Sequence, residues 1–268
     1  MSNQLDFLSL PNRPKPRRKG VTVVWDYFMP MAEAKSMLEV GAEPIDYVKF
    51  IHAGLGLGAS LPKNWIREKC ELYRAHGIKT YPGGVPYQVA LVQNKVSEYF
   101  DWVKKTGFDG VEIAEDAMPF SVATAKKRDE YIRMALDKGL FVDTELGKKA
   151  PDEPLDLNEA HDTMMRDLEL GVAHVVVERA ELNYYLDKDP TPLVNLVNTV
   201  GMENVLIEPG PFGWPTYHDW SFKTFGPDVN LSNIEKDELL YVEFSRRGLS
   251  RFGYGYFDQF KKQAAINA

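Results

Sequence analysis

Cysteine is almost missing from this chain: Cys70 is the only one in 268 residues. One thiol excludes an internal disulfide framework and any cysteine-built metal cluster, and it fits a reducing cytoplasm. Long apolar runs are missing too. No stretch approaches the roughly 20 apolar residues that span a bilayer, so no membrane association is expected. The first 20 residues carry a basic, Pro-rich patch at 13–19 but no apolar stretch with a small-residue cleavage site. They read as an arm with a solvated tail, and residues 21–268 as the folded domain. Positive charge is in deficit, with 32 Lys and Arg against 39 Asp and Glu and a net charge of −7. That balance argues against a broad nucleic-acid-binding surface. The five histidines show no metal-ligand spacing, which with the lone cysteine argues against zinc. "FIHAGLGLGAS" (50–60) is glycine-rich, but no G-K-[ST] closes it, and no G-x-G-x-x-G follows the first strand.

What is present is a regular alternation. Short β-branched runs stand at 21–26, 46–50, 78–84, 110–115, 140–145, 173–178, 205–209 and 229–233, separated by segments of helical spacing. Eight runs, each about 25–35 residues after the last, predict a (β/α)8 TIM barrel; a doubly wound open sheet is the alternative. Most runs are apolar at nearly every position, as parallel strands buried on both faces require. Helices are predicted at 62–77, 96–107, 123–139 and 157–171, each closing on glycine.

In such a barrel the chemistry sits at the C-terminal strand ends. Those positions hold Asp26, Lys49, Gly83 with Gly84, Glu112 with Glu115, Glu145 with Lys148 and Lys149, Glu178 with Arg179, Glu208, and Asn230 with Asn233. Carboxylates converging on one mouth repel unless a cation offsets them. Interleaved lysines and a divalent cation would both do so, and hard oxygen donors suit Mg²⁺. Some of these residues have a second reading. Glu112 can instead pair with Lys49 inside the barrel, and Asp26 can cap the following helix. Lys148 and Lys149, adjacent in an extended loop, cannot point the same way, so one is structural. The paired glycines of "YPGGVPY" (81–87) can present backbone N–H groups to an anion. Arg246 and Arg247 can fork onto phosphate or carboxylate, or simply cap a helix. His52 is a weaker candidate on the site side, and His174 reads as structural at the barrel bottom.

"VKF" (48–50), "KTYPGG" (79–84), "GFDGVEI" (107–113), "TELGKKAP" (144–151), "VVVE" (175–178), "LIEP" (206–209), "VNLSNI" (229–234) and "RRGL" (246–249) stand in the order and spacing of the phosphosulfolactate synthase family. The chain resembles that family from residue 21 to about 250. The resemblance implies a Mg²⁺-dependent addition of sulfite to C3 of phosphoenolpyruvate, giving 2-phospho-3-sulfolactate. It implies Mg²⁺ held by carboxylates among Glu112, Glu145, Glu178 and Glu208, and Lys149 as the acid that protonates C2, with Glu145 and Lys49 beside it in the catalytic set. It further implies that Asp26, Gly83, Gly84, Lys148, Arg179, Asn230, Arg246 and Arg247 contact a small anionic substrate, and that the protein is a homo-oligomer, with a trimer as one form. Departures are visible. Asp26-Tyr27-Phe28 stands where the family reads Asp-Lys-Gly, losing a cation. Ile51-His52-Ala53, Arg179-Ala180-Glu181-Leu182 and Ser250-Arg251-Phe252 also depart, and "EPGPFGWPTYHDW" (208–220) adds aromatics at the seventh strand end. Two other readings therefore stay open: the same enolate logic with another nucleophile or carboxylate, and a non-catalytic stress-associated barrel in which an exposed apolar or aromatic surface, around "FGWPTYHDW" (212–220) or "RFGYGYF" (251–257), does the work.

Overall fold

The computed structural model describes residues 13–55, 60–117, 123–149 and 153–250. The β-branched runs become β1 (Thr22–Asp26), β2 (Tyr47–Phe50), β3 (Lys79–Pro82), β4 (Gly110–Ile113), β5 (Phe141–Leu146), β6 (His174–Val177), β7 (Val205–Ile207) and β8 (Leu231–Ile234). Between them run α1 (Met31–Gly41), α2 (Trp65–Ala75), α3 (Gly84–Val92), α4 (Val96–Thr106), α5 (Ala125–Asp137) and α6 (Leu157–Leu170). The set is completed by α7 (Arg179–Leu186), α8 (Thr191–Val200), α9 (Thr216–Phe225) and α10 (Leu239–Arg246). The strands form one parallel sheet in the order β3-β2-β1-β8-β7-β6-β5-β4. The remaining seam is bridged at its lower end, where Asp109 donates its N–H to the Thr80 carbonyl (2.9 Å) and its carboxylate accepts the Thr80 N–H (2.9 Å). This is the expected (β/α)8 barrel.

All four predicted helices form within two or three residues of their expected bounds. Thr124 caps α5 by accepting the Lys127 N–H, and Asp156 caps α6 by accepting the Asn158 and Glu159 N–H groups. The segment after "YPGG" holds a helix of its own, α3, which is buried along most of its length.

Strand alternation divides the core in two. Val24, Val48 and Val175 point outward and meet the helices. Val21, Val23, Tyr81, Val176 and Leu206 point inward and pack against Tyr47 and Phe141. Three rings fill the lower interior, with Tyr47–Phe141 centroids 5.3 Å apart and Tyr81–Phe141 5.5 Å apart. Gly110 is required there, because a Cβ on it would meet the Phe141 ring at 2.4 Å. His174 pairs with Asp143 at 3.0 Å in this lower layer, a structural position as expected.

The basic patch at 13–19 is partly buried instead of being a solvated tail. Arg17 reaches Asp46 (3.2 Å) and Glu43 (2.5 Å) and is nearly buried, while Arg13 pairs with Glu243. Carboxylates at the foot of the barrel, Asp46 and Glu243 buried and Glu43 exposed, pair with these cations. The aromatic stretch after residue 250, including Arg251 and Phe252, lies outside the described residues. No helix among the described residues is long and apolar enough to cross a membrane.

Candidate active site

The inward-facing parity continues upward from the apolar layer into a charged one. Trp25 of β1, Lys49 of β2, Glu112 of β4 and Glu145 of β5 lie two residues beyond inward-facing positions, as do Glu178 after β6 and Glu208 after β7. All six line one cavity of about 670 Å³ at the C-terminal strand ends. A larger groove of about 800 Å³ lies outside the barrel around α2 and α4, lined by Trp65, Ile66 and Trp102, and its Lys95 and Glu98 form a well-exposed surface pair. Convergent ionisable groups favour the barrel mouth.

The charges fall into two groups. Lys49 Nζ stands 2.8 Å from Glu112 and 3.4 Å from Glu208, and all three side chains are buried. Burial works against the lysine charge, but Glu112, Glu208 and Glu145 hold its pKa well above the ordinary value. Glu112 spends its other oxygen on the Gly84 N–H at 2.7 Å. Burial pushes Glu208 up to about 7, with Lys49 pulling the other way.

The second group is Asp116, Glu145 and Glu178, each offering one oxygen within 4.8 Å of the others. Lys149 Nζ sits over two of them, 2.5 Å from Asp116 and 3.0 Å from Glu178. Gln88 of α3 fixes Asp116 with a 2.5 Å hydrogen bond, and the Lys149 N–H donates to the Asp116 carbonyl (3.0 Å). Burial and the nearby Glu208 and Glu112 drive the Glu145 carboxyl far above its usual range. Burial opposes the Glu178 charge, but hydrogen bonds from Glu145 and Lys149 hold it low. A hydrogen bond joins the Glu145 and Glu178 side chains. Glu145 Oε1 is buried with no hydrogen-bond partner. Three hard carboxylates, one with an orphaned oxygen, fit a divalent cation.

Several expected contacts go elsewhere. Lys148 turns away and donates to the Glu115 carbonyl at 2.7 Å, leaving Lys149 as the lysine that lines the cavity. Asp26 has the opposite parity to Trp25, so it faces α2, pairs with Lys69, accepts from Tyr73 (2.8 Å) and caps the Met29 N–H (2.9 Å). Gly83 and Gly84 line the cavity, but their N–H groups are taken by the Phe50 carbonyl and by Glu112, so they are not open to an anion. Asn230 precedes β8 and lies at the barrel foot, bonded to the Val21 N–H (2.9 Å) and the Met202 carbonyl (2.9 Å). Arg246 is at the foot as well, donating to the carbonyls of Val21 (3.0 Å) and Pro227 (2.8 Å). Arg247 pairs there with Glu243 (2.7 Å) and Glu43 (3.3 Å). These three cannot reach a ligand in the mouth. Arg179 does line the cavity, with one guanidinium N–H given to the Pro211 carbonyl. His52 borders the cavity, its pKa lowered by partial burial and by Lys149.

Sequence reasoning missed Asp116 and Gln88. The signal for Asp116 was available: it follows Glu112 by four residues in "GVEIAED", on the inward parity. Gln88 carried no such signal, because it depends on where α3 packs.

A family model described as (2R)-phospho-3-sulfolactate synthase (ComA) matches residues 11–251. The phosphosulfolactate synthase of Methanothermobacter thermautotrophicus is 30% identical over 256 residues, covering 92% of this chain and 96% of that protein. That of Methanocaldococcus jannaschii is 32% identical over 245 residues, covering 89% and 95%. Among solved structures, the YdjI aldolase of Escherichia coli superposes with a TM-score of 0.51 at 12% identity, covering 85% of this chain and 80% of that one. This last likeness concerns the barrel fold alone.

Proposed function

Because the chain belongs to the (2R)-phospho-3-sulfolactate synthase family, an enzyme family, we propose that it adds sulfite to phosphoenolpyruvate to give 2-phospho-3-sulfolactate with Mg²⁺ bound. The observation that carries this reading is Lys149 standing over the buried Asp116–Glu145–Glu178 cluster in one cavity. Those three carboxylates would hold the Mg²⁺, which when bound supplies electrophilic stabilisation of negative charge developing on the substrate carboxylate.

The chain's own residues do the rest. The sulfite sulfur forms a bond to C3, and the C2–C3 π electron pair moves toward C2 and the carboxylate. Lys149 then delivers one proton to C2, leaving a neutral amine that recovers its proton from solvent. Burial opposes the Lys149 charge, but Glu145, Glu178 and Asp116 hold its pKa above the ordinary lysine value, so it enters the cycle protonated. Lys49, held between Glu112 and Glu208, sets a fixed positive charge beneath the reacting carbons. Arg179 at the rim would meet a phosphate or sulfonate oxygen. A cytoplasmic homo-oligomer belongs to the same proposal.

The test is product formation from phosphoenolpyruvate and sulfite, followed by phosphorus NMR, with and without Mg²⁺. Metal-dependent phosphosulfolactate that disappears in Lys149→Ala supports the reading. A folded, Mg²⁺-loaded wild type that makes none sinks it.

A further inference from the structure

We propose that the half of the cavity facing away from the carboxylate cluster is an apolar subsite, which takes a planar, uncharged group carried on C3 of the acceptor. The inference rests on reading this cavity as the acceptor site. It adds a substrate class that phosphoenolpyruvate itself does not represent.

The cavity is divided across the barrel. Asp116, Glu145, Glu178 and Lys149 come from β4, β5, β6 and the loops after them. The opposite wall comes from β1, β8 and the loop after β7, and it presents Trp25, Tyr27, Phe212 and Asn233. Trp25 stands 5.4 Å from Tyr27 and 6.5 Å edge-on from Phe212, measured between ring centroids. Tyr27 is 56% exposed and Phe212 79% exposed. One exposed ring is ordinary, but adjoining rings lining the same cavity form a surface suited to a flat apolar group.

That surface is held in place. The Phe212 N–H donates to Glu235 at 2.9 Å, and Arg179 grips the Pro211 carbonyl. A Cβ on Gly210 would meet the Asn233 carbonyl oxygen at 2.0 Å, so the loop is packed directly onto β8. The β1–β8 register shifts between Thr22 and Val24, and Asn233 lies in the resulting bulge with a positive φ of 54°. A bulge of this kind re-aims a side chain. Asn233 is 4% exposed, lines the cavity and leaves its Oδ1 without a partner.

Charge argues the same way. The lining holds five carboxylates, Glu112, Asp116, Glu145, Glu178 and Glu208, against Lys49, Lys149 and Arg179. One divalent cation only brings that set to neutrality. The two lysines are already paired with carboxylates. Trp25, Tyr27, Phe212 and Asn233 carry no charge themselves, so an anionic group on that side would have Arg179 at the rim to meet it, and that guanidinium already gives one N–H to the Pro211 carbonyl. At about 30 Å³ per water, the 670 Å³ cavity corresponds to about twenty waters, more room than three carbons, a phosphate and a sulfite fill.

The experiment is calorimetric binding of acrylate and cinnamate, which differ by a phenyl group on C3, to the full Mg²⁺-loaded chain. Wild type, Phe212→Ala and Trp25→Leu are compared. Cinnamate should bind at least about tenfold tighter than acrylate in wild type, and each variant should lose most of that ratio. Equal binding of the two acids, or a preference unchanged in both variants, overturns the proposal. Phosphosulfolactate formation is assayed on the same samples. A rim-dependent preference for cinnamate in a protein that makes no product supports the subsite while removing the sulfite reaction.

Discussion

Lys49 is the residue whose removal should be most informative. Its Nζ lies 2.8 Å from Glu112 and 3.4 Å from Glu208, and all three groups are buried. At an effective dielectric of about 20, those two separations correspond to attractions of about 6 and 5 kcal/mol before desolvation. Desolvation of three ions consumes most of that sum. Removing one partner of a buried pair nevertheless costs about 3–5 kcal/mol, because the remaining charges are left uncompensated. Lys49→Met, which keeps the aliphatic volume, should lose about that much stability at pH 7.5 in metal-free denaturant titrations.

The pH dependence gives the sharper check. Without Lys49, both carboxyl groups move further up, and Glu208 already stands at about 7 with the lysine present. A carboxyl raised in the folded chain binds its proton more tightly there than when unfolded. Its contribution is most favourable below the ordinary carboxylate range and is lost as pH rises through the raised value. The deficit of Lys49→Met should therefore shrink at pH 5.5. Adding Glu112→Gln and Glu208→Gln should recover much of it at pH 7.5, since the glutamine at 112 can still accept the Gly84 N–H. A loss below about 1 kcal/mol, or one equal at both pH values, would refute the reasoning.

The carboxylate cluster should make thermal stability metal-dependent: Mg²⁺ at a hundred times its dissociation constant adds about 2.7 kcal/mol. Calorimetry of Asp116→Asn should show that gain reduced or gone. Arg246→Met leaves the carbonyls of Val21 and Pro227 without their guanidinium donor. It should cost about 2–4 kcal/mol in urea without changing KM, since the residue is at the far end from the cavity. Gly110→Ala forces a methyl against the Phe141 ring and should lower stability by about 1–3 kcal/mol, read as a reduced Tm.

The strands were legible because parallel strands buried on both faces leave unbroken β-branched runs, and eight at a regular interval leave few alternatives to a barrel. The site was legible only in part, and the failures have common causes. Strand-end position alone ignores alternation: Trp25 points in, so Asp26 must point out to Lys69 and Tyr73. Chain direction decides other positions. A helix in this barrel runs from the mouth to the foot, so arginines in the last turn of α10 arrive at the foot whatever their chemistry suggests. Asn230, just ahead of β8, is at the foot for the complementary reason. Gln88 and the bulge at Asn233 were not legible at all, since each depends on how two elements pack.

The upper layer of the barrel is a poor arrangement for stability and a good one for chemistry. Directly beneath it lie Val23, Tyr81, Val176 and Leu206, which keep water from the underside of the charges. In that setting each carboxylate raises the others' pKa, as Glu145 shows through Glu208 and Glu112. A fold selected for stability alone would place apolar groups there, because a buried ion network is often no better than a hydrophobic one. Keeping five carboxylates on one cavity makes sense when a divalent cation is part of the finished site. In the proposed reaction the lysines would have separate tasks. Lys49, fully buried between two partners, would serve as a fixed charge, whereas Lys149, about half exposed and facing the cavity, would give up and regain a proton.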